Sequence, residues 1–211
     1  NKSIINLDSN SILAKNHFNN PKNISKKINT FLKKNDSRIG IGLYKEKRNV
    51  YHGKNYISNF NSKRRRDIHL GIDIFAPVGT KIKTPINGKV IILKYNAFKY
   101  DYGPTIVLEH KIDKIIKFYT IYGHLSKGCL KNLKVGQKIK KNQLIAEIGN
   151  YPINGNWPPH LHFQISIDMM GEKENFPGVS EDILLSVWSK ISPDPNLILG
   201  MPNSFFIKKN N

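Results

Sequence analysis

One cysteine, Cys129, among 211 residues leaves the chain without an internal disulfide and without the paired thiols that zinc fingers and Cys-x-x-Cys redox motifs need. Long apolar runs are missing as well. Stretches such as Val90–Leu93 and Ile183–Leu185 fall far short of the roughly 20 residues a membrane-spanning helix requires, so no transmembrane segment is expected. The first twenty residues carry no hydrophobic run followed by a small-residue cleavage site, so no signal peptide is expected within them. Opening on Asn1, the sequence reads as a processed form or a segment of a longer protein. Acidic residues are scarce, 15 against 34 Lys and Arg, for a formal charge of +19. Residues 1–66 hold 16 basic and 3 acidic side chains, a net +13, against 18 and 12, a net +6, over residues 67–211. A field of that sign attracts polyanions, yet most of it lies away from the chemistry-bearing half. It reads as a solvated basic surface, and no nucleic-acid partner is expected.

Hydrophobic residues make up 39% of the chain and charged residues 23%, enough for a folded core. Residues 1–38 form a basic N-terminal arm in which Ile24, Ile28, Phe31 and Leu32 recur at helical spacing, predicting a short helix packed on the domain. From Ile39 the text turns to short β-type runs: Ile39–Tyr44, Asp67–Phe75, Lys89–Lys94, Thr105–Glu109, Lys117–Tyr122, Leu144–Ile148 and His160–Ile167. Turn residues such as Pro77-Val78-Gly79 and Asn154-Gly155 separate them. The pattern predicts an all-β core over residues 39–170, an antiparallel β-sandwich or open barrel, and no solenoid repeat interrupts it. Residues 171–211 read as a C-terminal extension. There Ser180 is expected to cap a helix with Ile183, Leu184, Val187, Trp188 and Ile191 on one face, stopped by Pro193.

Metal-capable side chains concentrate in three strings: His69-Leu70-Gly71-Ile72-Asp73, Tyr122-Gly123-His124-Leu125 and His160-Leu161-His162-Phe163. In a β run His160 and His162 project from one face about 6.6 Å apart, so one can bind a metal while the other lines the same pocket. Four extended steps would hold His69 and Asp73 about 13 Å apart, too far to share an ion. The backbone must therefore bend between them, which Gly71 permits. Imidazoles with one carboxylate leave a divalent ion a net positive charge and an open position, the arrangement of a catalytic zinc site. Histidines not engaged by the ion are then free for proton transfer or oxyanion stabilisation. No His-Glu-x-x-His string occurs, so the base must come from outside a helical ligand pair.

His69-x-x-x-Asp73, Tyr122-x-His124-Leu125 and His160-Leu161-His162, in that order, resemble the three motifs of the M23 (lysostaphin/LytM-type) zinc metallopeptidases. Gly71-Ile72-Asp73-Ile74, Ala76-Pro77-Val78-Gly79-Thr80, Asn87-Gly88-Lys89-Val90 and Val135-Gly136-Gln137-Lys138-Ile139 agree, and the likeness spans about residues 67–167. The resemblance implies His69, Asp73 and His162 as ligands of Zn2+ and His124 and His160 as the catalytic pair. It implies a β-sheet groove with zinc at its floor and hydrolysis of peptide bonds in peptidoglycan cross-links or another peptide substrate. Tyr122 and Trp157 are expected to touch that substrate, Trp157 as a wall stiffened by Pro158 and Pro159. His110 is read as structural, and His17 and His52 receive no role.

Phe176-Pro177-Gly178-Val179, Val187-Trp188 and Ser192-Pro193-Asp194-Pro195-Asn196-Leu197 are similar to the end of the M23-like segment in multidomain proteins that also carry phosphotransferase-like and class III aminotransferase domains. That likeness implies covalent fusion to further domains, a cytoplasmic setting and a substrate other than peptidoglycan. A peptidoglycan hydrolase would work in the cell envelope or periplasm. Two other classes compete. A non-haem iron oxygenase also uses two His and a carboxylate, but all five arginines lie between Arg38 and Arg66, leaving none after the last ligand to grip an oxoglutarate cosubstrate. A non-catalytic basic module would use loop aromatics to hold a polymer without cutting it.

Overall fold

The structure, a computed structural model, describes residues 1–8, 11, 20–51 and 54–206. His17 and His52, and with them part of the basic arm, lie outside the described residues. In chain order the elements are β1 (Lys2–Ile4), α1 (Pro21–Lys34), β2 (Ile39–Gly42), β3 (Ile68–His69), β4 (Ile72–Phe75), β5 (Lys81–Lys83), β6 (Gly88–Asn96), β7 (Gly103–Lys111) and β8 (Lys117–Gly123). There follow α2 (Gly128–Asn132), β9 (Lys138–Ile139), β10 (Leu144–Glu147), β11 (His160–Ser166), β12 (Val179–Ser180), α3 (Leu185–Ile191) and α4 (Asn196–Leu199). The fold is mostly β. One eight-stranded sheet runs β1-β2-β4-β11-β8-β7-β6-β9, with two-stranded ribbons β10-β5 and β12-β3 beside it. Every pairing is antiparallel except β1 with β2.

The period-2 geometry of strands decides which side chains meet. On β7, Ile106 and Leu108 enter a core with Val90, Tyr122, Leu125, Leu161 and Phe163. Val107 points the other way, to Ile92, Ile121, Met169 and Phe176. Strand β11 sits mid-sheet, and all seven of its residues are buried. Leu161 and Phe163 join the first core, which turns His160, His162 and Gln164 onto the opposite face. Register then brings Asp73 opposite His162 and Gly42 opposite Asp73, so one sheet face collects the polar residues.

The basic arm is tied into this sheet. β1 pairs with β2, and Ile24, Ile28 and Leu32 of α1 pack on Ile5, Leu7 and Phe75. Asn20 caps α1 by accepting from the Lys22 amide, and Pro21 occupies its first turn. The C-terminal helix differs from its sequence expectation. Ser180 belongs to β12, paired with Ile68, and its hydroxyl donates to the Glu181 carbonyl instead of capping a helix. A 3-10 turn at Asp182–Leu184 precedes α3. Ile183 and Val187 face solvent, while Trp188 and Ile191 pack on the second core.

Candidate metal centre and active site

Leu70 and Gly71 break the first motif between β3 and β4. β3 pairs with β12 and β4 with β11, so the chain turns from one sheet to another within two residues. That turn closes the His69 Nε2 to Asp73 Oδ1 distance to 3.2 Å. Gly71 is needed for space: a Cβ there would stand 2.5 Å from His162 Cε1.

His162 Nδ1 lies 2.9 Å from His69 Nε2 and 3.3 Å from Asp73 Oδ1. Four-coordinate zinc with bonds of about 2.0–2.1 Å places its ligand atoms about 3.4 Å apart, so the triangle has the size that one such ion spans. The outer hydrogen bonds fix which ring nitrogens hold protons. The Leu43 carbonyl can only accept, so His69 donates Nδ1–H to it at 3.0 Å and keeps the lone pair on Nε2. His162 donates Nε2–H to Gln164 Oε1 at 2.9 Å, because the Gln164 amide nitrogen is spent on Pro177 O and Ser192 Oγ. Two imidazole lone pairs and a carboxylate oxygen thus converge with no proton between them. Three acceptors so placed could hold a metal ion, and the donor set suits a divalent one.

His124 and His160 stand beside this triangle, their rings 4.4 Å apart. His124 donates Nδ1–H to Asn154 O at 2.9 Å and His160 donates Nδ1–H to Pro158 O at 2.6 Å, leaving both Nε2 atoms free to accept. His160 Nε2 is 3.6 Å from Asp73 Oδ1. His124 has φ +63°, sparsely populated for a non-glycine residue, and is held there by its amide to Tyr102 O and by Gly149 N–H to its own carbonyl. Phe75 stacks on the His160 ring at 4.9 Å and joins the cluster packed by α1.

Burial dominates the electrostatics. It holds His69 down at about 4, assisted by the Arg48 cation. It also holds His124 well below 6.5, with His160 and His162 adding to the effect, and lowers His160. Burial alone would raise Asp73, but His69 and Arg48 outweigh it and its carboxyl sits well below 3.8. Since His69 is neutral at pH 7, Arg48 is the cation that keeps Asp73 ionised there.

A cavity of about 390 Å³ opens onto these residues. His69, Asp73, His124, His160 and His162 all line it, as does Trp157, whose ring packs on Tyr51 and Tyr100. Tyr122 does not line it. Its register partner is Phe163, so its side chain falls in the hydrophobic core, with the hydroxyl near Thr120 and Thr84. It thus lies outside the cavity in which a contact with substrate is expected from its place in the second motif. His110 is likewise remote from the cavity, bonded to Asn87 O and Thr120 Oγ1. Sequence reasoning missed Arg48, Tyr102 and Gln164. Gln164 was reachable by extending the His160, His162 alternation one step. Arg48 gave no such signal, sitting in Lys45-Glu46-Lys47-Arg48, which reads as a solvated charge run.

Comparison with known proteins agrees with this geometry. Residues 67–175, just over half of the chain, match the model of peptidase family M23. A metalloprotease of Haemophilus influenzae described as uncharacterized is 33% identical over 117 residues, 53% of this chain and 22% of that protein. The peptidoglycan DD-endopeptidase ShyB of Vibrio cholerae is 32% identical over 117 residues, 52% of this chain and 24% of that one. Among solved structures, the catalytic domain of the antimicrobial peptidase lysostaphin from Staphylococcus simulans is 24% identical, covering 64% of this chain and 86% of that domain with a TM-score of 0.40. The chain spans about a quarter of the length of the curated relatives it matches. On a match of this extent, with all three motifs drawn into one centre, the chain belongs to peptidase family M23.

Proposed function

We propose that this chain is a zinc-dependent endopeptidase that hydrolyses peptide bonds in peptidoglycan cross-links and acts in the cell envelope. The observation that carries the reading is the convergence of His69 Nε2, Asp73 Oδ1 and His162 Nδ1, with the free Nε2 atoms of His124 and His160 beside them. The substrate class is supported by relatives such as the Vibrio cholerae peptidoglycan DD-endopeptidase.

Zinc held by the three ligands would supply Lewis acidity, polarising a peptide carbonyl and making water acidic near neutral pH. The protein's own groups do the rest. His124 and His160 are neutral at pH 7, so either can accept the proton of an attacking water and, once protonated, pass it to the departing amine. The Asp73 carboxylate, 3.6 Å from His160 Nε2, favours the imidazolium that forms in between. Trp157 serves as a wall for the substrate chain.

The test is digestion of cross-linked peptidoglycan by the purified chain with its metal quantified, beside His124→Ala and a chelated sample, products being read by mass. The parent is expected to release soluble fragments, and both controls to fail. A parent with one bound zinc that leaves peptidoglycan intact overturns the substrate. A second reading keeps the hydrolase and changes the substrate to a smaller amide presented inside a multidomain cytoplasmic protein with class III aminotransferase domains. In this reading the amide would be enclosed by Tyr51 and Tyr56, from before the matched segment, and by Phe176 to Val179, just after its end, all of which line the cavity. Cleavage of soluble dipeptide amides without attack on peptidoglycan would select it.

A further inference from the structure

We propose that Arg48, clamped by Glu46, is a positioning residue of the metal centre: it occupies one oxygen of Asp73 so that the other alone is offered to the ion. The inference rests on the metal-site reading above and extends it to residues that precede the family match.

Arg48 is 3% exposed and Glu46 is 7%, an unusual depth for two charged groups in a loop. Arg48 Nη1 lies 2.5 Å from Asp73 Oδ2, and its Nε lies 2.7 Å from Glu46 Oε2. Nη1 also donates to the Tyr51 hydroxyl at 3.3 Å, and Nη2 to the Leu43 carbonyl at 3.4 Å. Glu46 is fixed in turn, since its Oε1 accepts from the Leu7 amide at 2.8 Å. The guanidinium therefore has a single orientation, set from four sides.

The consequence falls on coordination. Asp73 Oδ1 faces His69 and His162, while Oδ2 is spent on Arg48. A carboxylate with both oxygens free can rotate or bind through both; one gripped at Oδ2 is held to a single-oxygen contact. The Leu43 carbonyl that meets Arg48 Nη2 is the same one that orients His69. One short segment thereby steers two ligands. Glu46 balances the guanidinium charge, so the clamp adds rigidity without placing an uncompensated cation beside the ion. Gly42 makes the approach possible: a Cβ there would lie 2.9 Å from Arg48 Nη2 and 3.2 Å from Asp73 Cβ.

The test compares the full chain with Arg48→Lys, which keeps the charge and loses the planar fork, and with Glu46→Gln, which loosens the fork without removing it. Zinc affinity is measured by chelator competition, and ligand geometry by the visible spectrum of the cobalt-loaded protein. Thermal melting of the metal-free forms reports folding. Arg48→Lys is expected to bind zinc about 10–100-fold more weakly and to shift the cobalt bands, with Glu46→Gln moving both in the same direction by less. A folded Arg48→Lys with the parent's affinity and spectrum overturns the proposal. Should Arg48→Lys fail to fold, an unchanged spectrum in Glu46→Gln overturns it equally. A parent that binds no metal removes the centre and the clamp together, whereas a parent that binds zinc tightly but spares peptidoglycan refutes only the substrate.

Discussion

The central segment, residues 67–175, and the flanks on either side contribute different things to one site. Every candidate ligand and both candidate acid–base histidines come from the centre. The acid–base pair is also oriented from within it, His124 by Asn154 and His160 by Pro158. Two candidate ligands are oriented from outside, His69 by Leu43 and Asp73 by Arg48; the third, His162, is oriented from within by Gln164, whose amide nitrogen is pinned from outside by Pro177 and Ser192. The motifs thus supply the candidate ligand atoms, while chain beyond them orients two directly and the third through Gln164. The predictions below try that division.

The largest effect should come from removing a ligand. Asp73→Asn keeps the volume and deletes the carboxylate; after dialysis against trace zinc it is expected to retain no stoichiometric metal, and hydrolysis should fall to background. Full metal content in that variant would show that the ion sits elsewhere. His124→Ala should separate the two central roles, lowering turnover roughly 10²–10⁴-fold while metal content stays at the parent's level. Metal loss on that substitution would move His124 into the ligand set.

Acid sensitivity ranks next and follows from burial. His69 titrates at about 4 in the folded chain against 6.5 as its ordinary value. Between those limits the unfolded chain takes up a proton that the folded one refuses, so stability of the metal-free protein falls as pH drops from 6.5 toward 4. This histidine alone contributes up to about 3 kcal/mol over the full window. His124, His160 and His110, lowered by burial too, act in the same direction, and Asp73 adds its loss below 3.8. Urea melts of the chelated chain at pH 7 and pH 4.5 measure the slope. His69→Gln should flatten it, and an unaltered slope would place the acid-labile group elsewhere.

How much of this could be read from letters alone varies with the range of the interaction. Runs of β-branched, apolar and aromatic residues in β6, β7 and β8, and polar–apolar alternation in β11, announce those strands, because each is long enough to show a pattern. β3, β9 and β12 have two residues apiece and no period to show; they exist because a neighbouring edge receives them. The grouping of His69, Asp73 and His162 followed from the resemblance of the three motifs, and the bend at Gly71 from the distance that His69 and Asp73 had to lose. Tyr122 misled, because sitting two residues before His124 says nothing about which sheet face it takes; pairing with Phe163 decides that. Arg48 was illegible for a deeper reason. A charge run becomes a buried clamp only when the Leu7 amide beyond β1, a β4 carboxylate and a loop carbonyl arrive from three places in the sequence.

A smaller change tests the flank behind the third ligand. Gln164→Leu removes the acceptor for His162 Nε2–H and frees the ring to change tautomer. Zinc affinity is expected to drop about tenfold with the fold intact, and Ser192→Ala should produce a fraction of that by loosening the Gln164 amide. Equal affinities in all three proteins would mean that the β11 backbone by itself aims His162.

The weakest effect is expected from the surface charge that gives the flank its composition. Lys63 and Arg64 are exposed, whereas Arg66 in the same run lines the cavity and donates to the Asn55 carbonyl. Arg65 donates to the carbonyl of Tyr51, another residue of that wall, so the double substitution Lys63→Gln, Arg64→Gln alters the field without touching it. Screening over about 8 Å at physiological salt confines their reach to the pocket mouth. Capture of an anionic substrate should therefore weaken a few-fold at low ionic strength and converge on the parent as salt rises, with turnover unchanged throughout. A fall in turnover at saturating substrate would mean that the basic flank shapes the site itself and does more than draw substrate toward it.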